Sequence, residues 1–76
     1  MYNNDIIKKL RIALELKDTD ILDIFALGGA KVTKSELSSF FRRGDHRNYV
    51  PLGDQLMRKF LTGLAKRYRE QDDVQG

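Results

Sequence analysis

Apolar residues in this chain return every three or four positions in four separate segments, and no stretch alternates convincingly with a period of two. That spacing lines one face of an α-helix, so the chain is predicted to fold as an all-α domain. With 76 residues there is room for one hydrophobic core and not for a second domain. The sequence holds no cysteine, which excludes a disulfide staple and a thiolate metal site. Stability must come from helix packing or from association.

The four segments predict helices over about 4–17, 19–27, 33–43 and 53–69, a compact single-domain bundle. In the first, Ile6, Ile7, Leu10, Ala13, Leu14 and Leu16 form the stripe, Asn3 or Asn4 can accept from the orphan amides at its start, and Asp5 suits the positive end of the dipole. Asp18 or Thr19 can cap the second helix, which buries Ile21, Leu22, Ile24, Phe25 and Ala26 and stops at Gly28-Gly29. The third has the clearest start, because Thr33-Lys34-Ser35-Glu36 is a capping box and Val32 can staple to Leu37. Its stripe is Leu37, Phe40 and Phe41, with Arg42 and Arg43 expected in the last turn and Gly44 ending it.

Between Asp45 and Leu52 no period is visible, and Pro51 holds Val50 extended, so this is an irregular crossing segment that Tyr49 and Val50 are expected to pin to the core. The last helix carries Leu56, Met57, Phe60, Leu61, Leu64, Ala65 and Tyr68 on one broad face. The core is expected around Leu10, Leu14, Phe25, Leu37, Phe40, Phe60 and Leu64. The domain is expected over 1–71, followed by a disordered tail over 72–76. No signal-peptide hydrophobic region opens the sequence and no apolar run approaches a membrane span, so a cytoplasmic protein is expected.

The order and spacing of several short runs are distinctive. Asn3-Asn4-Asp5-Ile6, Ala13-Leu14-Glu15-Leu16-Lys17-Asp18, Ile24-Phe25-Ala26-Leu27, Val32-Thr33, Glu36-Leu37-Ser38 and Phe60-Leu61-Thr62-Gly63-Leu64 resemble the YehS-like family of uncharacterised bacterial proteins over nearly the whole chain. That resemblance implies a unit present in two tandem copies in typical members. Phe40-Phe41-Arg42-Arg43, His46, Tyr49 and Gly53-Asp54-Gln55 look more like the second copy than the first. One unit here implies an excised half or a natural single-copy member. The resemblance transfers an architecture and no catalytic residues.

Catalytic chemistry has little to draw on. His46 is the single histidine, and no cysteine or paired serine and histidine accompanies it, so the chain is read as a non-enzyme with no cofactor and no small-molecule substrate. Asp18, Asp20 and Asp23 lack calcium-loop spacing and its closing glutamate, and helix capping accounts for them. His46 with Asp45 falls short of a metal site, so no metal is assigned.

Two surfaces can carry a binding function. A short helix, a glycine turn and a second helix ending in arginines, over Ile21 to Arg43, have the order of a helix-turn-helix. Lys34, Ser35, Ser38, Ser39, Arg42 and Arg43 would then be the nucleic-acid-binding residues, because small hydroxyls allow close approach and arginine reads guanine or holds phosphate. Fourteen basic against eleven acidic residues, a net charge of +3, favour that partner mildly. Against it, the turn from Leu27 to Val32 is longer than that motif uses, Glu36 lies nearby, and a solvated scaffold helix would show the same residues. A second basic cluster, Arg58, Lys59, Lys66, Arg67 and Arg69 with Tyr68, could meet phosphate or an anionic membrane surface, although dipole complementarity explains its last three cations. The wide apolar faces, with Ile12 and Leu27 in excess of what one core can cover, favour a unit that pairs with a like unit, as a homodimer or with a tandem sister domain.

Overall fold

A computed structural model describes the backbone of residues 2–73 and the side chains of 2–69. It contains four helices: α1 (Asn3–Ala13), α2 (Asp18–Leu27), α3 (Lys34–Phe41) and α4 (Asp54–Asp73). Among the described residues there is no strand. Ile7, Ile21, Ile24, Phe25 and Phe60 are fully buried, and the rings of Phe25 and Phe60 meet with centroids 5.0 Å apart at a tilt of 57°. Leu37, Phe40, Leu52, Met57, Leu16 and Ala30 complete the core, with Leu10 and Leu64 half-buried at its edge.

α1 ends four residues before the stripe suggests. Leu16 lies nine positions after Ile7, so a continuing helix would place it about 180° from the buried face. The chain instead turns at Glu15, whose φ is +52°, and Leu16 enters the core. Two hydrogen bonds close the turn, Leu16 N–H to the Arg11 carbonyl at 2.9 Å and Glu15 N–H to the Ile12 carbonyl at 3.3 Å. This is the Schellman pattern, here with a glutamate in the left-handed position. Leu14, expected in the core, is left more than a third exposed.

α2 ends on the same pattern. Ala30 N–H donates to the Phe25 carbonyl at 2.8 Å and Gly29 N–H to the Ala26 carbonyl at 3.0 Å, with Gly29 at φ +88°. Gly28 serves another purpose. A Cβ on Gly28 would fall on the carbonyl oxygen of Lys59, and one on Gly63 would fall on that of Ile24, so α2 and α4 cross backbone to backbone. Asp20 pairs with Arg67 further along, which makes the two helices antiparallel.

The helix starts differ from expectation in detail. Thr33 caps α3 as its motif predicts: Glu36 N–H donates to the Thr33 hydroxyl and Thr33 N–H to the Glu36 carboxylate, both at 3.1 Å. Neither Asp18 nor Thr19 occupies the cap of α2. Lys17 does, and its N–H donates to Asp20 at 2.9 Å. Neither Asn3 nor Asn4 caps α1, because both reach across the fold. Asn3 donates to the Leu52 carbonyl (2.9 Å) and to Asp54 (2.8 Å). Asn4, only 3% exposed, donates to the carbonyls of Phe40 and Val50 (3.0 Å each) and accepts from Leu52 N–H (2.8 Å).

Asn4 and Leu52 therefore anchor the crossing segment, and the expected anchors do less: Tyr49 is half-buried and Val50 exposed. α4 runs to Asp73, past the expected end near 69. Arg, Glu and Gln are adequate helix formers, and nothing between 69 and 73 breaks the helix. From residue 74 onward, the tail expected over 72–76 lies outside the described residues.

Candidate functional site

α3 is too short to carry its arginines. It stops at Phe41, and Arg42 is already extended at ψ 163°. Arg42 and Arg43, expected in the last turn, thus leave the helix and enter the crossing segment. Val50 N–H, bonded to the Ser39 carbonyl at 3.2 Å, folds that segment back on the helix, and Asn4 of α1 bridges the two by donating to the carbonyls of Phe40 and Val50 at 3.0 Å each.

The return creates two shallow grooves that share a wall. The first, about 620 Å³, is lined by Ser35, Ser38, Ser39 and Arg42 facing Arg47, Asn48, Tyr49 and Val50. The second, about 460 Å³, is lined by Ser38, Arg42 and Arg43 with Arg11, Asp18, Leu37, Phe41 and His46. Ser38 and Arg42 belong to both. Five of the six expected residues converge here, while Lys34, at the far end of α3, lines neither groove.

Their local states differ. Ser35 and Ser38 are exposed, whereas the half-buried Ser39 hydroxyl already donates to the Ser35 carbonyl at 3.0 Å. Arg43 lies 3.6 Å from Asp45 in a pair almost wholly in water, where such pairs contribute little. Arg11 lies 3.3 Å from Asp18 and holds its guanidinium 5.2 Å from the centre of the Phe41 ring, a cation–π contact. His46 Nδ1 accepts from Asn48 N–H at 3.0 Å, which fixes the turn and engages that nitrogen. No group of three metal-ligating side chains occurs among the described residues.

Arg11, Arg47 and Asn48 escape sequence reasoning. Arg11 belongs to a helix far away in the chain, and Arg47 and Asn48 sit in a segment without a period. The available signal was Gly44 followed by Pro51, which allows the chain to turn back on α3. The second basic cluster is partly engaged within the fold, since Arg67 pairs with Asp20 at 3.2 Å and Lys66 donates to the Leu27 carbonyl at 3.3 Å. The Asp20 carboxyl is held below its ordinary pKa, chiefly by the Lys17 amide and then by Arg67.

Among the described residues no helix is long and apolar enough to cross a membrane. A family model described as "Protein of unknown function (DUF1456)" matches residues 3–70. The chain belongs to the DUF1456 family. It is 46% identical over 65 residues to the "Uncharacterized protein YehS" of Escherichia coli (strain K12), an alignment covering 86% of this chain and 42% of that protein. The chain therefore spans less than half the length of that relative. No solved structure matches it.

Proposed function

We propose that this DUF1456 unit is a non-enzymatic interaction module that pairs with a like unit, a second copy of itself or a sister unit in the same protein. One observation carries the reading: α4 is apolar over a wider arc than the domain covers. Met57 and Phe60 face the core, while Leu61 and Tyr68 remain 45% and 38% exposed and Ala65 is exposed between them. At 100° per residue these three fall within about 60° of one another, beside the buried stripe. In a two-fold dimer the same patch meets itself, and an apolar helix flank can serve as such a patch. The length of the YehS relative, more than twice the matched segment, supports the sister-unit form.

Sedimentation at about 100 µM tests the pairing of copies, since homodimers with micromolar constants form there. The expected result is a dimer that Leu61→Glu with Tyr68→Glu converts to monomer. Monomer for the unaltered chain at that concentration rejects it. A second reading, nucleic-acid binding, is favoured by the convergence of Ser35, Ser38, Ser39 and Arg42 on one groove.

A further inference from the structure

We infer that the paired grooves around Ser38 and Arg42 bind the phosphate backbone of nucleic acid without reading its sequence. The inference rests on the nucleic-acid reading and replaces its mode. A helix-turn-helix presents the N-terminal residues of its second helix to base edges. In α3 that end carries Glu36, whose carboxylate is committed to the Thr33 cap and repels phosphate. Lys34 also stands at that end, but the arginines lie at the other, beyond the last helical residue.

The arginine end is built for anions. Arg11, Arg42, Arg43 and Arg47 line the two grooves; Asp18, which Arg11 engages, is the carboxylate in that lining, and Asp45 stands outside it beside Arg43. Among the described residues neither Arg42 nor Arg47 has a carboxylate within ion-pair distance. Arg43 is held only by an exposed pair that a phosphate can displace. Ser35 and Ser38 add exposed hydroxyls, the group that commonly joins arginine on phosphate oxygens. Because Ser38 and Arg42 line both, the two grooves lie side by side along one basic track. A polyanion with evenly spaced phosphates fits such a track better than an isolated ion does. A lipid surface fits less well, since hydroxyls, an amide and guanidiniums line the track and Val50 is its single exposed large hydrophobic.

The test is fluorescence anisotropy of two labelled duplexes of unrelated sequence, each about 20 base pairs, at about 50 and 200 mM salt, with phosphatidylglycerol vesicles as a third probe. The variants are Arg42→Glu/Arg47→Glu and, with the same change in net charge, Arg58→Glu/Arg69→Glu on α4; circular dichroism confirms that both fold. Both duplexes should bind within about twofold of each other, with dissociation constants of about 10⁻⁴ to 10⁻⁶ M that weaken steeply with salt. The groove variant should weaken binding at least about tenfold and lower the salt slope by about 2, while the α4 variant changes affinity by less than about twofold. No binding of either duplex at low salt removes the nucleic-acid reading itself. Equal losses in the two variants remove this surface alone, and a sequence preference above about tenfold returns the recognition-helix mode. Vesicle binding that exceeds duplex binding and is lost in the groove variant assigns the track to lipid and overturns the inference.

Discussion

The ends of α1 and α2 are made by the same pair of hydrogen bonds, yet by different residues. At the first end the left-handed position holds Glu15, at the second Gly29. The first end has only a local task, turning Leu16 into the core. The second also has a tertiary one, because Gly28 lies against the backbone of α4. Hydrogen-bond geometry thus sets the turn, and what the turn must accommodate decides whether a side chain is tolerated.

The contact between Gly28 and α4 makes Gly28 the costliest of these positions to change. Gly28→Ala should destabilise the domain by about 3 kcal/mol, because its Cβ overlaps the Lys59 carbonyl and two helix backbones must separate. Urea unfolding measures this, and a loss no larger than that of an ordinary helix-end substitution would refute the close crossing. The left-handed positions should respond to opposite changes with opposite signs. Gly29→Ala should cost about 1 kcal/mol, since the site is open and only the positive φ is strained. Glu15→Gly should gain about 0.5–1 kcal/mol by removing that strain, after the added freedom of glycine in the unfolded chain is subtracted. Equal signs for the two would show that the ends are not equivalent. The smallest effect concerns the start of α2. Asp20 has a depressed pKa, so its contribution is present above the unfolded carboxylate value and is lost as pH falls through the lower folded one. Asp20→Asn should flatten the acid limb of the stability curve while leaving stability near pH 7 lower than that of the unaltered chain; an unchanged acid limb would contradict the coupling.

What could be read beforehand divides along similar lines. The four stripes, the Thr33 capping box and the glycine stop of α2 were legible because each is a local signal of a few residues. The end of α1 was not, since Glu15 is no turn residue and Leu16 continues the apparent stripe; only the requirement to bury Leu16 decides it. Asn4 looked like a cap because its true partners, Phe40, Val50 and Leu52, are more than thirty residues away. The same limit applied to the candidate site. Its serines follow from helical spacing, but the exit of Arg42 and Arg43 from α3 and the approach of Arg11, Arg47 and Asn48 depend on how the crossing segment returns.

Asn4 has a consequence for how the molecule opens. The crossing segment makes little regular structure of its own, and its bonds at Val50 and Leu52 end on a side chain from α1. When α1 lifts away, those groups lose their partner together, and so does the carbonyl at the end of α3. α1 and the crossing segment are therefore expected to open together, apart from the antiparallel α2–α4 pair that meets backbone to backbone at its glycines. The grooves lie between α3 and this unit, with Arg11 as the α1 residue in their lining, so an occupant that bridges them should hold α1 in place and slow exchange of the Leu52 amide with solvent.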